Sequence, residues 1–250
     1  MNKVLFAVMT LVMLTSCACN GLKVRYFKSE AQTEESRPLK GFERIELLGS
    51  LDVKYEQADS FSVRVAAPVN VIKDVETRVE GNKLVVNMKG SNKFINIGVS
   101  DSDDVTIYVT SPDFIGIELK GSGDFDCKQL LDTDNLDITL KGSGDIKFHD
   151  VICDQVNVSL VGSGDVELKN VKMLRSNIDL VGSGDVKVRF NESGSVESRL
   201  TGSGDITLSG TVKNYTSNVR GSGDMHTEGL RISESKTETT TESKTNMFIK

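Results

Sequence analysis

The tetrapeptide Gly-Ser-Gly-Asp occurs six times, starting at Gly121, Gly142, Gly162, Gly182, Gly202 and Gly221, at spacings of 21, 20, 20, 20 and 19 residues. A period this regular means that one supersecondary unit is used over and over. A weaker copy, Gly49-Ser50-Leu51-Asp52, stands earlier in the chain.

The flanks repeat with the tetrapeptide. Four and two residues before it stand Ile117/Leu119, Ile138/Leu140, Val158/Leu160 and Ile178/Leu180, then the weaker Ser198/Leu200 and Ser217/Val219. One and three residues after Asp stand Phe125/Cys127, Ile146/Phe148, Val166/Leu168, Val186/Val188, Ile206/Leu208 and Met225/Thr227. Apolar and polar residues alternate on both sides, the pattern of half-buried strands. On that phase both glycines face inward, while Ser and Asp face outward. A propeller blade needs four strands and roughly 40 residues or more. A unit of about 20 residues instead predicts one coil of a single-stranded parallel β-helix with three short faces, coils stacking at about 4.8 Å. The fold class is all-β. The inward glycines would fill a core too narrow for a side chain, or take positive φ at a bend.

The repeated strands, with Gly41-Phe42-Glu43-Arg44-Ile45 leading into them, resemble the head GIN domain family of putative autotransporter adhesins. The resemblance covers roughly residues 39–232. It implies a pectin-lyase-like β-helix in the envelope of a Gram-negative bacterium, and an adhesive role. Residues 39–118 keep the period less well and are read as an N-terminal β cap with irregular coils, with 119–232 forming the regular coils. Ile45, Leu47, Leu51, Val53 and Tyr55 make one coil-like stretch, and Phe61, Val63 and Val65 another. Val79 to Leu84 reads as a hairpin turning at Gly81-Asn82, and Val105, Ile107 and Val109 alternate again.

The N-terminus carries an address. Met1-Asn2-Lys3 precedes an apolar run from Val4 to Leu14, too short to span a bilayer but suited to a signal peptide. Leu14-Thr15-Ser16-Cys17 resembles a bacterial lipobox. That resemblance implies a signal peptide at 1–16, lipidation at Cys17, and anchoring in the cell envelope, with Ala18 pointing to the outer membrane. Cys19 is a second candidate for acylation. Residues 17–38 are then the lipidated cysteine and a polar tether. Residues 233–250, Ser/Thr/Glu/Lys-rich, are expected to be a disordered polar tail.

The most conspicuous polar constellation is the column Asp124, Asp145, Asp165, Asp185, Asp205, Asp224, with Ser122, Ser143, Ser163, Ser183, Ser203 and Ser222 beside it. Stacked in register, adjacent carboxylates would repel by roughly 0.9 kcal/mol in water. Either each Asp accepts a hydrogen bond at the bend, or cations such as calcium bridge the ladder. The glycine-rich calcium nonapeptide has a different period. The serines are no nucleophiles, since a catalytic serine is needed once, with a base. No catalytic residue, metal site or cofactor is expected: the acids are evenly spread rather than gathered over a cleft with a Lys or Arg base, as a polysaccharide lyase would need. Lys147, Lys187 and Arg189 read as solvated strand positions. Cys127 lies on an inward phase and Cys153 near a corner; buried thiols and a disulfide both remain open. His149 and His226, the two histidines of the chain, should face solvent.

Composition narrows the partners. Glycine at 22 against 3 prolines in 250 residues excludes a collagen-like chain. A net charge of −6 without a basic stretch excludes nucleic acid. The expectation is a non-enzymatic envelope lipoprotein that binds an extracellular or envelope ligand, glycan or protein, on the exposed faces of the helix, with a membrane contact through the anchor only. The alternatives are a structural or assembly component of the envelope and a carbohydrate-active enzyme. The absence of Trp weighs against the glycan.

Overall fold

A computed structural model describes residues 31–89 and 105–233. Each repeat supplies two strands separated by the tetrapeptide. The regular part runs β8 (Gly116–Gly121), β9 (Phe125–Asp132), β10 (Asn135–Gly142), β11 (Asp145–Ile152), β12 (Gln155–Gly162), β13 (Asp165–Lys172) and β14 (Arg175–Gly182). It ends with β15 (Val186–Gly202), β16 (Ile206–Gly221) and β17 (Met225–Ile232). Strands before the tetrapeptide stack into one parallel sheet, in which Leu140, Leu160, Leu180 and Leu200 are successive partners. Strands after it form a second sheet, where Ile146, Val166, Val186 and Ile206 stack likewise. The result is a parallel β-solenoid of about six turns with roughly 20 residues per turn.

The coil differs from the expected three short faces. It has two long runs, and in the second the pairing of β11 with β9 shifts register between Phe148 and Asp150. The shift absorbs a one-residue difference in length between neighbouring coils, and where the coils are equal in length, as at β11 and β13, the register runs through unbroken. β15 and β16 pass through this region and the corner after it without a break.

The core lies between the two sheets. Leu119, Leu140, Leu160 and Leu200 are fully buried, as are Phe125, Ile146 and Phe148. Each such side chain contributes about 1.5–3 kcal/mol by leaving water. Tyr55, Phe114 and Phe125 stack at the N-terminal end, with Tyr55 and Phe114 at 4.2 Å, and Phe148 continues the row 5.2 Å from Phe125. The Tyr55 hydroxyl bonds Ser111 Oγ at 3.0 Å, which satisfies its polar end.

At the N-terminal end, spatial order departs from chain order. β2 (Arg44–Gly49) and β3 (Asp52–Gln57) form a coil stacked directly against β8 and β9. On their other side lie β6 (Lys83–Met88) and β7 (Thr106–Ser111), also parallel. Antiparallel strands then appear: β4 (Ser62–Pro68) against β7, β1 (Gln32–Arg37) against β4, and β5 (Val75–Glu80) against β6. The last pair turns at Gly81, whose φ is 64°.

β1 corrects the expected tether at 17–38. Residues 32–37 are polar because they are an edge strand with mostly exposed side chains, held by backbone pairing instead of an apolar face. The signal peptide at 1–16, Cys17, Cys19, Ala18 and residues 234–250 of the expected tail lie outside the described residues.

Candidate functional site

The six aspartates stand on one edge of the solenoid, and Asp52 extends their column by one coil. The backbone N–H of Asp124 donates to Asp52 Oδ1 at 3.0 Å, and that of Asp145 to Asp124 Oδ1 at 3.0 Å. The N–H groups of Asp185, Asp205 and Asp224 likewise donate to Oδ1 of Asp165, Asp185 and Asp205, at 3.0, 3.2 and 3.0 Å. The chain breaks at Asp165, whose N–H turns to the Gly144 carbonyl at 3.3 Å. A hydrogen bond to an ionised group is worth about 1.5–3 kcal/mol, which outweighs the roughly 0.9 kcal/mol of repulsion between neighbouring carboxylates in water. Lys147 adds a contact to Asp145 Oδ2 at 2.9 Å, and this bond raises its own pKa. Among the described residues no three His, Cys, Asp or Glu side chains converge as a metal site would require.

The glycines explain how the column can form. The first glycine of every copy has positive φ, from 131° at Gly221 to 148° at Gly142. A Cβ on Gly142 would lie 2.0 Å from the Gly121 carbonyl oxygen of the preceding coil. This glycine is half-buried and points along the stack, which corrects the expectation that both glycines face the core; the second, such as Gly144, is buried. The carbonyl of each first glycine from Gly121 to Gly202 accepts two N–H groups from the next coil, as Gly142 does from Ser163 at 2.9 Å and Gly164 at 3.2 Å. The serine hydroxyls are exposed along this corner, and those of Ser203 and Ser222 lie 3.0 Å apart.

Cys127 and Cys153 are both free, buried thiols, and burial pushes each up to about 12. They are not poised for redox chemistry. His149 is less open than expected: its Nε2 lies 3.6 Å from Asp126 Oδ1 and 3.4 Å from Lys169 Nζ. His226 sits 3.6 Å from Asp205 Oδ2. Lys187 pairs with Asp185 at 3.6 Å, and Arg189 is exposed.

A groove of about 540 Å³ on the outer face of the first sheet was not anticipated. Thr139 and Ser159 line its floor, where short side chains sit between taller neighbours. At one end Arg44 donates to Asp137 Oδ2 at 2.7 Å, and Asn157 Nδ2 donates to Asp137 Oδ1 at 2.8 Å. Asn177 Nδ2 continues this row to Asn157 Oδ1 at 3.2 Å. At the other end Arg199 bridges Asp179 and Glu197. Burial acts to raise the Asp137 pKa, but the bonds from Asn157 and Arg44 outweigh it and hold the carboxyl below its usual range. Gly116 makes the Arg44 position possible, since a Cβ there would come within 2.9 Å of the guanidinium. The signal was present in the residues five and three before each tetrapeptide, a phase that is invisible to a search for core positions.

Beside the groove, Glu46 is held by Lys83 and Lys120, both at 2.8 Å, and Glu118 by Lys120 at 2.9 Å. Burial works against ionisation of both acids, but the lysines prevail and lower their pKa values. Lys120 is raised in turn by its bonds to Glu46 and Glu118.

Among solved structures, the chain is similar to a putative adhesin from Bacteroides fragilis at 24% identity, with a TM-score of 0.64 over 79% of this chain and 97% of that one. It is also similar to a putative lipid binding protein from Parabacteroides distasonis, at 20% identity and a TM-score of 0.60 over 78% and 96% of the two chains. A putative adhesin from the same organism matches at 16% identity, with a TM-score of 0.55 over 79% and 97%. At these identities the likeness speaks for the fold. No curated protein matches the chain. The family model for the head GIN domain of putative auto-transporter adhesins matches residues 41–171 and 168–250, nearly all of the solenoid, so the chain belongs to this adhesin-like family.

Proposed function

We propose that the chain is a non-enzymatic, lipid-anchored binding module of the cell envelope, and that the polar groove of the first sheet holds a glycan lying along the solenoid axis. The groove itself carries this reading. Its amides, hydroxyls, carboxylates and two arginines offer donors and acceptors side by side, the mixture that sugar hydroxyls require. Family membership supports an adhesive role at the envelope or surface. The lipobox resemblance at Cys17 supports the anchor, and Ala18 after it the outer membrane. Among the described residues no helix is long and apolar enough to cross a membrane. The carboxylates of the groove are tied to Arg44 and Arg199, which suits recognition better than proton transfer. Most of the Asp column is spent on backbone N–H groups, which makes it a brace and not the contact surface.

The test is an array of glycans and extracellular-matrix proteins probed with the full chain. Ser159→Arg, which fills the floor, should abolish the glycan signal. The triple change Asp145→Asn, Asp165→Asn and Asp185→Asn should leave it intact. Loss in the triple variant with Ser159→Arg unaffected would move the site to the ladder.

A second reading, a structural component that assembles through its end, is favoured by the last coil. Tyr215, Val219, Met225 and Leu230 are only partly buried there, and no strand lies beyond β17 among the described residues. Concentration-dependent oligomers in light scattering, coupled to a blank array, would support it.

A further inference from the structure

The outer face of the second sheet carries a column of charges that alternate in sign. Along it, Lys54 is the partner of Asp126, Asp126 of Lys147, Lys147 of Glu167, and Glu167 of Lys187. Opposite charges on adjacent strands stabilise the pairing, and like charges oppose it. At the N-terminal end the alternation fails. The next position is Tyr108 on β7, and beyond it stands a second cation, Arg64 on β4. Where the pattern calls for a carboxylate the chain supplies a phenol.

The consequence is a notch of about 320 Å³ around Tyr108. Lys54 Nζ lies 5.6 Å and the Arg64 guanidinium 5.0 Å from the ring centroid, so the ring holds both cations in place. Arg64 reaches Glu34 with one nitrogen at 2.8 Å. Lys54 has no ion pair among the described residues; its neighbour Asp126 faces His149 and Lys128. Ser62, Thr110, Glu56, Asp126 and Lys128 supply the rest of the polar walls. The site thus offers two preorganised cations, hydroxyl groups and the edge of an aromatic ring.

We propose that this notch binds the carboxylate of an acidic sugar residue, a uronic-acid unit of a glycan, which supplies the anion missing from the column. Ser62, Thr110 and Glu56 would then meet the sugar hydroxyls. A bare anion would use only the cations, and a bulky apolar ligand would strand the polar walls. The proposal rests on the chain being a glycan-binding module, but it concerns a different sheet from the groove.

The experiment is calorimetric titration of the full chain in detergent with an oligogalacturonate, and with the same oligomer after reduction of its carboxyl groups. The acid should bind about tenfold more tightly or better. Lys54→Gln should erase that preference, as should Tyr108→Glu, which places the missing carboxylate within the protein and should not lower the melting temperature. Ser159→Arg should leave the preference untouched. Equal affinity for the two oligomers overturns the proposal, as does a preference that survives both Lys54→Gln and Tyr108→Glu. Competition by polyglutamate as effective as by the oligouronate overturns the assignment to a sugar. Neutral glycans that still bind through the groove in those cases leave the proposed function standing and sink only this site.

Discussion

A glycine in this chain acts through the space it leaves rather than through flexibility alone. The first glycine of each copy combines positive φ with a backbone approach that no Cβ can share, as the 2.0 Å contact built at Gly142 illustrates. Strain and overlap then add. Gly142→Ala is expected to cost more than about 3 kcal/mol, read as the shift of the denaturation midpoint. The aspartate of the same tetrapeptide is a milder case. Asp165→Ala deprives the Asp185 N–H of its acceptor and should cost about 1–3 kcal/mol. Asp165→Asn keeps an acceptor oxygen and should cost less than half of that. Calcium should leave the melting temperature of the wild type, Asp165→Ala and Asp165→Asn unmoved; a rise with calcium in wild type alone would make the column a cation ladder.

At the scale of strands, each coil is interchangeable with its neighbours. β10 contacts β12 in the same register in which β12 contacts β14, residue for residue through eight positions. Such a stack behaves as a one-dimensional array of similar units. Removing residues 155–174, one full coil, should therefore bring Asn135–Gly142 against Arg175–Gly182 and leave a folded protein. Circular dichroism should keep its β signature, with a modest fall in melting temperature. The deletion takes Asn157 and Ser159 out of the groove, so glycan binding should drop. A chain that fails to fold after this deletion would mean that the coils are not equivalent and that a specific contact in 155–174 nucleates the stack.

For the molecule as a whole, the charged faces make stability depend on pH. Glu46, Glu118 and Asp137 all have pKa values lowered in the folded protein by their lysine, arginine and amide partners. A carboxyl lowered on folding contributes stability that is present above its unfolded value and disappears as pH falls through the folded one. The melting temperature should thus hold steady above the ordinary carboxylate range and fall below it. Glu46→Gln should lower the plateau and flatten the acid limb, measured by thermal melts from neutral pH downwards. An acid limb as steep as that of the wild type would show that other groups carry the effect.

The period, the inward columns of Leu and Ile, and the outward Asp and Ser were all legible in the amino acids, because a strand alternates sides and each repeat samples the same position again. The weaker copy at Gly49 already carried the Asp52 that begins the column. What only the tertiary structure decided is where coils separated in sequence meet: β2 and β3 lie between β6/β7 and β8/β9, an order that no local pattern encodes. The same holds for the two grooves. Thr139, Ser159, Tyr108 and Arg64 look like ordinary surface residues one by one, and Arg64 and Tyr108 become neighbours through an antiparallel pairing of strands far apart in the sequence. Periodicity is a local property and survives in one dimension. A concave surface depends on the relative heights of side chains from different coils, and those are set only when the coils stack.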